Sequence, residues 1–172
     1  MWSLIGLGEA ELAALVGLEE RLWAFLGKSY SHERWEESHF SLELPGKWEL
    51  SCAAVERGQG LVGFWVCSMP RPGWAHVHRV GVDPRWWGKG IGKEMFAWSS
   101  ARARAKGARA MSVSVAEANV RARDFYTRLG FSLVDGPELQ QWARAHGRRG
   151  RVHQDGIYEA GIKYIIMCYG LV

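Results

Sequence analysis

Residues 82–96 read VDPRWWGKGIGKEMF: a strand end, a turn at Asp83-Pro84, then three glycines at alternate positions running into a helix. Glycine costs about 1 kcal/mol against alanine in a helix interior, so Gly88, Gly90 and Gly92 need a reason. A helix start carries unpaired N–H groups and the positive end of the helix dipole, which together attract anions. Glycine lets a phosphate reach that backbone where a side chain would obstruct it. The order strand, turn, GKGIGK, helix therefore proposes a phosphate or pyrophosphate cradle around Gly88 to Lys93, with Lys89 and Lys93 adding charge. Two other cradles do not fit. GxxxxGK[ST] fails because Lys93 is followed by Glu94 and the earlier glycine is missing, and GxGxxG fails because Lys93 stands where the third glycine belongs. A tight strand-to-helix turn without a ligand accounts for the glycines equally well.

Outward from this stretch, WAHVHRVGV (74–82) reads as a strand stopped by Asp83-Pro84. LSCAAVE (50–56) and LVGFWVCS (61–68) flank Arg57-Gly58-Gln59-Gly60 as a hairpin. Apolar residues at helical spacing predict an amphipathic helix over 9–26, and Ile91, Met95, Trp98 and Arg102 share one face of a helix ending before Gly107. AMSVSV (110–115), FSLV (131–134) and IKYIIMCY (162–169) complete the strands, with a helix from Asn119 to Leu129 and another at 138–146. Strands and helices are not in regular alternation, so the expected class is α+β in one domain over 1–172.

The chain has 172 residues, a length that fits one domain with a substantial core. Its three cysteines are far apart and form no CxxC pair, which argues against a disulfide framework or a cysteine zinc site and fits a reducing compartment. The N-terminal stretch lacks a basic region and is interrupted by Glu9 and Glu11, unlike a signal peptide. No run approaches the ~20 apolar residues of a membrane span. The expected location is the cytoplasm, with no membrane contact. Charge is uneven: residues 1–57 hold five Lys/Arg against ten Asp/Glu, while 58–172 hold seventeen against eight. The basic part suits an anionic ligand, though a solvated surface explains the charge alone. No nucleic-acid-binding module is visible, which makes RNA or DNA an unfavoured partner.

A second motif narrows the reading. Residues 119–131, NVRARDFYTRLGF, have the form N-x-x-A-x-x-F-Y-x-x-L-G-F and follow the glycine stretch. The two motifs in this order and spacing resemble the GNAT superfamily of acyl-CoA-dependent N-acetyltransferases, most sharply over 74–134. The family's phosphate motif is [QR]-x-x-G-x-[GA]; aligning Gly90 and Gly92 with it puts Trp87 at the usual Gln/Arg position. The resemblance implies a mixed, mostly antiparallel central sheet flanked by helices. It also implies acetyl-CoA as acyl donor and no metal, with a homodimer as an option common in the family. The segment 135–160 lies outside the resemblance and is expected to help form the acceptor pocket.

The resemblance further implies residue roles. The donor's pantetheine would bond to strand backbone at Val80 and Val82, and its pyrophosphate would meet amides of Gly88, Lys89, Gly90, Ile91, Gly92 and Lys93, beside Trp87. Asn119 matches the position that holds the cofactor arm, although asparagine there is also a good helix N-cap. Tyr126 matches the acid that protonates the departing thiolate; with an ordinary pKa near ~10 it carries its proton at neutral pH. The alternative is a core aromatic beside Phe125. Strict alternation puts His76 and His78 on the face of Val80 and Val82, where either imidazole could serve as base. Glu33, Glu36 and Glu37 would suit a cationic acceptor or form a solvated helix face. GRRGRVHQDG (147–156) could bind an anionic part of the donor or acceptor. The implied reaction is direct attack by a primary amine in a ternary complex, with backbone N–H near Val82 stabilising the oxyanion. The expected acceptor is a small molecule of the amino-sugar, polyamine or aminoglycoside type. Its rivals are a protein lysine or N-terminus, or a non-catalytic acyl-CoA-binding domain.

Overall fold

The computed structural model describes residues 1–148 and 150–171. In chain order the elements are β1 (Trp2–Gly6), α1 (Leu12–Leu26), α2 (Glu37–Ser41), α3 (Lys47–Leu50), β2 (Cys52–Glu56), β3 (Gly60–Arg71) and β4 (Trp74–Val82). Then follow α4 (Ile91–Ala105), β5 (Ala110–Ala116), α5 (Val120–Arg128), β6 (Ser132–Val134), α6 (Gly136–Ala145), β7 (Arg151–Val152), β8 (Ile157–Glu159) and β9 (Ile162–Gly170). One sheet runs β1-β2-β3-β4-β5-β9-β8-β7, with β6 alongside β9. Every pairing is antiparallel except β4 with β5. The expected α+β class and mostly antiparallel sheet are therefore present. β1 was not anticipated, because its partner β2 lies some fifty residues along the chain.

Side-chain alternation divides the core between the two faces of the sheet. Val62, Trp65 and Cys67 of β3 join Met111, Val113 and Val115 of β5 under α4 and α5. Leu61, Phe64 and Val66 face the other way, against Leu15, Leu18 and Leu22 of α1. A smaller cluster beneath α6 holds Leu139, Trp142 and Ala143 with Ile157 and Ile166.

The decisive irregularity lies in β4. Val66 pairs with Arg79, but the next residue of β3, Cys67, pairs with Val77, so His78 is an extra residue in the ladder. Such a bulge bends its strand and swaps which residues face each side. Ala75 and Val77 before it, and Val80 and Val82 after it, all pack toward α4 and α5. His76 therefore points to the opposite face, onto Trp142 and His146, with ring centroids 5.9 and 6.1 Å away. The expectation that His76 and His78 share the face of Val80 and Val82 is corrected: strict alternation does not survive the inserted residue.

The same bulge opens the sheet. β4 and β5 pair only from Trp74 with Ala110 to Val77 with Val113. Beyond that point β5 stays with β9 as far as Ala116, and β4 stays with β3 as far as Val82. The two strands part, leaving one edge of residues 79–82 without a strand partner.

Candidate active site

Backbone alternation fixes what the split presents. Asp83 N–H donates to Val62 O of β3 at 2.9 Å. Counting back, the amides of Gly81 and Arg79 face β3, and those of Val80 and Val82 face the split. Both carbonyls on that edge meet side chains: Trp87 Nε1–H donates to Val82 O at 2.8 Å, and the Tyr30 hydroxyl oxygen lies 3.4 Å from Val80 O.

At the Val82 end stands the start of α4. Gly90 is its N-cap, with φ 80° and no side-chain cap, so the first amides of the helix, Ile91 to Lys93, face outward without a side-chain acceptor. Gly88 (φ 74°) and Gly90 hold left-handed backbone that favours glycine, and a Cβ on either would meet nothing within 4 Å. The approach to this backbone is open, which suits a pyrophosphate. Gly92 differs: a Cβ there would lie 2.7 Å from the Phe125 ring. The missing side chain there lets α4 pack on α5, while its amide remains part of the open helix start. The Ile91 side chain is buried in the core, leaving its amide as the only group available. Lys93 is exposed, and Lys89 Nζ lies 4.5 Å over the Trp86 ring. Trp87 is 40% exposed, with the Arg121 guanidinium 4.4 Å above its face.

Asn119 fills both of its readings locally. Its Oδ1 accepts from Ala122 N–H at 3.1 Å as the N-cap of α5, and its Nδ2 donates to Tyr30 O at 2.9 Å. The segment 30–35 is thereby tied across the mouth of the split. Arg79 binds Ser31 Oγ and Glu33 O, and pairs with the fully buried Glu19, whose carboxylate also accepts from Tyr30 and from Trp35 N–H. Glu36 and Glu37 lie at the exposed start of α2. This network escaped sequence reading because its bonded partners are up to 89 residues apart.

Tyr126 is buried on the α5 side against Trp65, Phe125 and Phe131. Its hydroxyl makes no hydrogen bond to a described residue, and burial raises its pKa, so it holds its proton throughout the physiological range. Burial also pushes the thiols of Cys52, Cys67 and Cys168 up to about 12, which disfavours a cysteine nucleophile.

On the opposite face, beside the fork, His76 and His78 line a pocket of about 220 Å³ with Arg71, Trp142, His146 and Arg148. His76 Nδ1 meets Ser112 Oγ at 2.9 Å, and His78 Nε2 meets Ser68 Oγ at 2.7 Å. Burial first, then His78, His146 and Arg148, hold the His76 pKa well below its usual value. Burial, then Lys47, brings that of His78 down to about 4. Both rings are neutral at pH 7. Sequence reading missed Trp142 and His146, although their i, i+4 spacing at the end of α6 was a usable signal. In the 147–156 stretch, Arg149 lies outside the described residues; Arg148 binds Glu159 through two hydrogen bonds of 3.0 and 2.8 Å. Among the described residues, no group of His, Cys, Asp or Glu is arranged to hold a metal, and no helix is long and apolar enough to cross a membrane.

Comparison with known proteins bears on the family and the fold. The profile of the acetyltransferase (GNAT) family matches residues 15–131. No curated protein matches the sequence. Among solved structures, the chain is similar to the ribosomal-protein-S18-alanine N-acetyltransferase of Escherichia coli, with 17% identity, TM-score 0.70, and 99% and 94% of the two chains covered. It is similar to a GNAT-family acetyltransferase from Staphylococcus aureus Mu50, with 11% identity, TM-score 0.73 and both chains fully covered. An acetyltransferase of Salmonella typhimurium solved with acetyl-CoA matches at 14% identity and TM-score 0.65, covering 100% of this chain and 95% of its own. With the profile spanning well over half of its length, the chain belongs to the acetyltransferase (GNAT) family and is an acyl-CoA-dependent acetyltransferase.

Proposed function

We propose that this enzyme moves an acetyl group from acetyl-CoA to the primary amine of a small molecule by direct attack in a ternary complex. The observation that carries the reading is the split between β4 and β5, which has an open helix start at one end and a pocket lined by two histidines at the other. The donor's pyrophosphate would rest on the amides of Gly90 to Lys93. Its pantetheine would lie in the split as an added strand against Val80 and Val82, displacing the Trp87 and Tyr30 contacts. From Val82 to the fork at His78 is four residues, about 13 Å of strand.

The amine would attack the thioester carbonyl, and the new C–N bond would place negative charge on the carbonyl oxygen beside the open-edge amides of β4. His78 or His76 would then take the proton from the nitrogen of the adduct, which is far more acidic than a free ammonium. Collapse would break the C–S bond, with Tyr126 donating its proton to the departing thiolate. A pocket of about 220 Å³ has room for a small acceptor.

The test is CoA release from acetyl-CoA by the purified chain with amino sugars, polyamines, aminoglycosides, amino acids and peptides, read by mass spectrometry. Turnover confined to small amines is the expected result. Turnover confined to peptides would replace the acceptor, and acetyl-CoA binding without any turnover would favour a binding domain.

A further inference from the structure

The pocket beside the fork says more about its occupant than size. Arg148 enters it pre-oriented by its two bonds to Glu159. Arg71, at the end of β3, is exposed and pairs with no carboxylate among the described residues. No carboxylate lines the pocket. Trp142 and His146 stack at 4.2 Å between centroids and form a flat wall. His146 Nδ1 faces Trp142 O at 2.9 Å and must donate to it, so in the neutral ring Nε2 is a bare lone pair. That atom is buried without a partner, as is Trp142 Nε1. The remaining nitrogens, His76 Nε2 and His78 Nδ1, bond to no described residue.

We infer that the acceptor is a small amine that also carries an anionic group, a carboxylate or phosphate, held by Arg71 and Arg148, with its amine directed to His76 and His78. The inference rests on the acetyl-transfer reading and deepens it. Arg71 brings a guanidinium with no carboxylate partner among the described residues, and Arg148, its charge balanced by Glu159, still offers the N–H groups that Glu159 does not take. Beside neutral, desolvated imidazoles these surroundings favour an anion over a cation. They attract the anionic group, and they also favour the amine in the uncharged form that attack requires. A polyamine or aminoglycoside, with several ammonium groups, meets the same surroundings at a penalty. Of the acceptor classes expected from sequence, the polycationic ones are thus disfavoured by side chains that converge only in the fold.

Matched pairs test this: 2-phenylethylamine against phenylalanine, 1,4-diaminobutane against 4-aminobutanoate, and 2-aminoethanol against its O-phosphate. The expected result is that kcat/KM favours an anionic member by about tenfold to a hundredfold, the range of a charge-assisted hydrogen bond. Whether a carboxylate or the phosphate leads identifies the anion. Arg71→Gln should erase most of that preference through KM, while acetyl-CoA affinity measured by calorimetry stays unchanged. Arg71→Lys should retain part of the preference. Turnover of the members that lack the anionic group at equal or higher efficiency, indifferent to Arg71→Gln, overturns the inference and leaves the acetyl-transfer reading standing. Silence with every amine while acetyl-CoA binds overturns both.

Discussion

The two ends of β4 do opposite things with the same strand. At Val82 the surface is backbone: open-edge amides, then the uncapped start of α4 behind two left-handed glycines. At His78 it is side chains: imidazoles held by Ser68 and Ser112, walled by α6 and flanked by two arginines. A backbone site needs glycine at certain positions and little else, and can take the repeating phosphates and amides of a common donor. A side-chain site needs particular groups brought from several elements, and can discriminate among acceptors. The bulge at His78 separates the two by turning the strand's faces over between them.

Tyr126 is buried on the α5 side and is the proton donor of the proposed mechanism, so its replacement gives the largest expected effect. Tyr126→Phe should lower kcat by about 10²–10⁴-fold, the usual worth of a positioned acid, with acetyl-CoA affinity nearly unchanged. An unaltered kcat in a mass-spectrometric assay would remove the acid from the mechanism and leave Tyr126 a core aromatic.

The glycines offer a contrast within the donor end. Gly92→Val drives a branched side chain into Phe125 and should destabilise the fold by about 1–3 kcal/mol, seen as a lower Tm. Gly90→Ala meets no atom but must hold φ 80°, so it should weaken acetyl-CoA binding with a smaller loss of Tm. If both variants lose stability equally and bind the donor equally well, the helix start is only a turn.

The histidine end predicts a pH effect. His76 and His78 are held neutral in the fold, with His78 falling from 6.5 to about 4. Below pH 6.5 the unfolded chain binds more protons than the folded one, so stability should fall as pH drops from 6.5 through 4. Thermal melts across that window should show the decline, and His78→Gln should flatten it. A variant whose melts follow the parent would place the acid sensitivity elsewhere.

The smallest effect is expected at Trp87. Its indole N–H occupies Val82 O, and Trp87→Phe removes a competitor for the donor's pantetheine. Acetyl-CoA affinity should change by less than about tenfold, the worth of one net hydrogen bond. A larger loss would mean that the indole contacts the donor directly.

Much of the donor end was legible in the sequence. VDPRWWGKGIGKEMF announces a strand stop and a helix start, because turn chemistry and glycine act on neighbours in the chain. β4 occupies the nine residues 74–82 expected for it, and α5 follows Asn119 as its cap motif requires. The basic residues Arg102, Arg104 and Lys106 of the α4 end are engaged with Trp98, Leu171 O and Glu49. Trp98 is an i, i+4 neighbour on the same helix, whereas Leu171 and Glu49 lie far along the chain, where no local pattern reports them.

By itself, the sequence determined the glycine-led helix start, the tyrosine motif and the α+β class, since each depends on local backbone preference or a short spacing. Only the tertiary structure decided which face His76 and His78 take, because an inserted residue in a ladder is defined by the partner strand's register. It also decided that Trp142, His146, Arg71 and Arg148 meet those histidines, joining elements separated by up to about seventy residues in the folded chain.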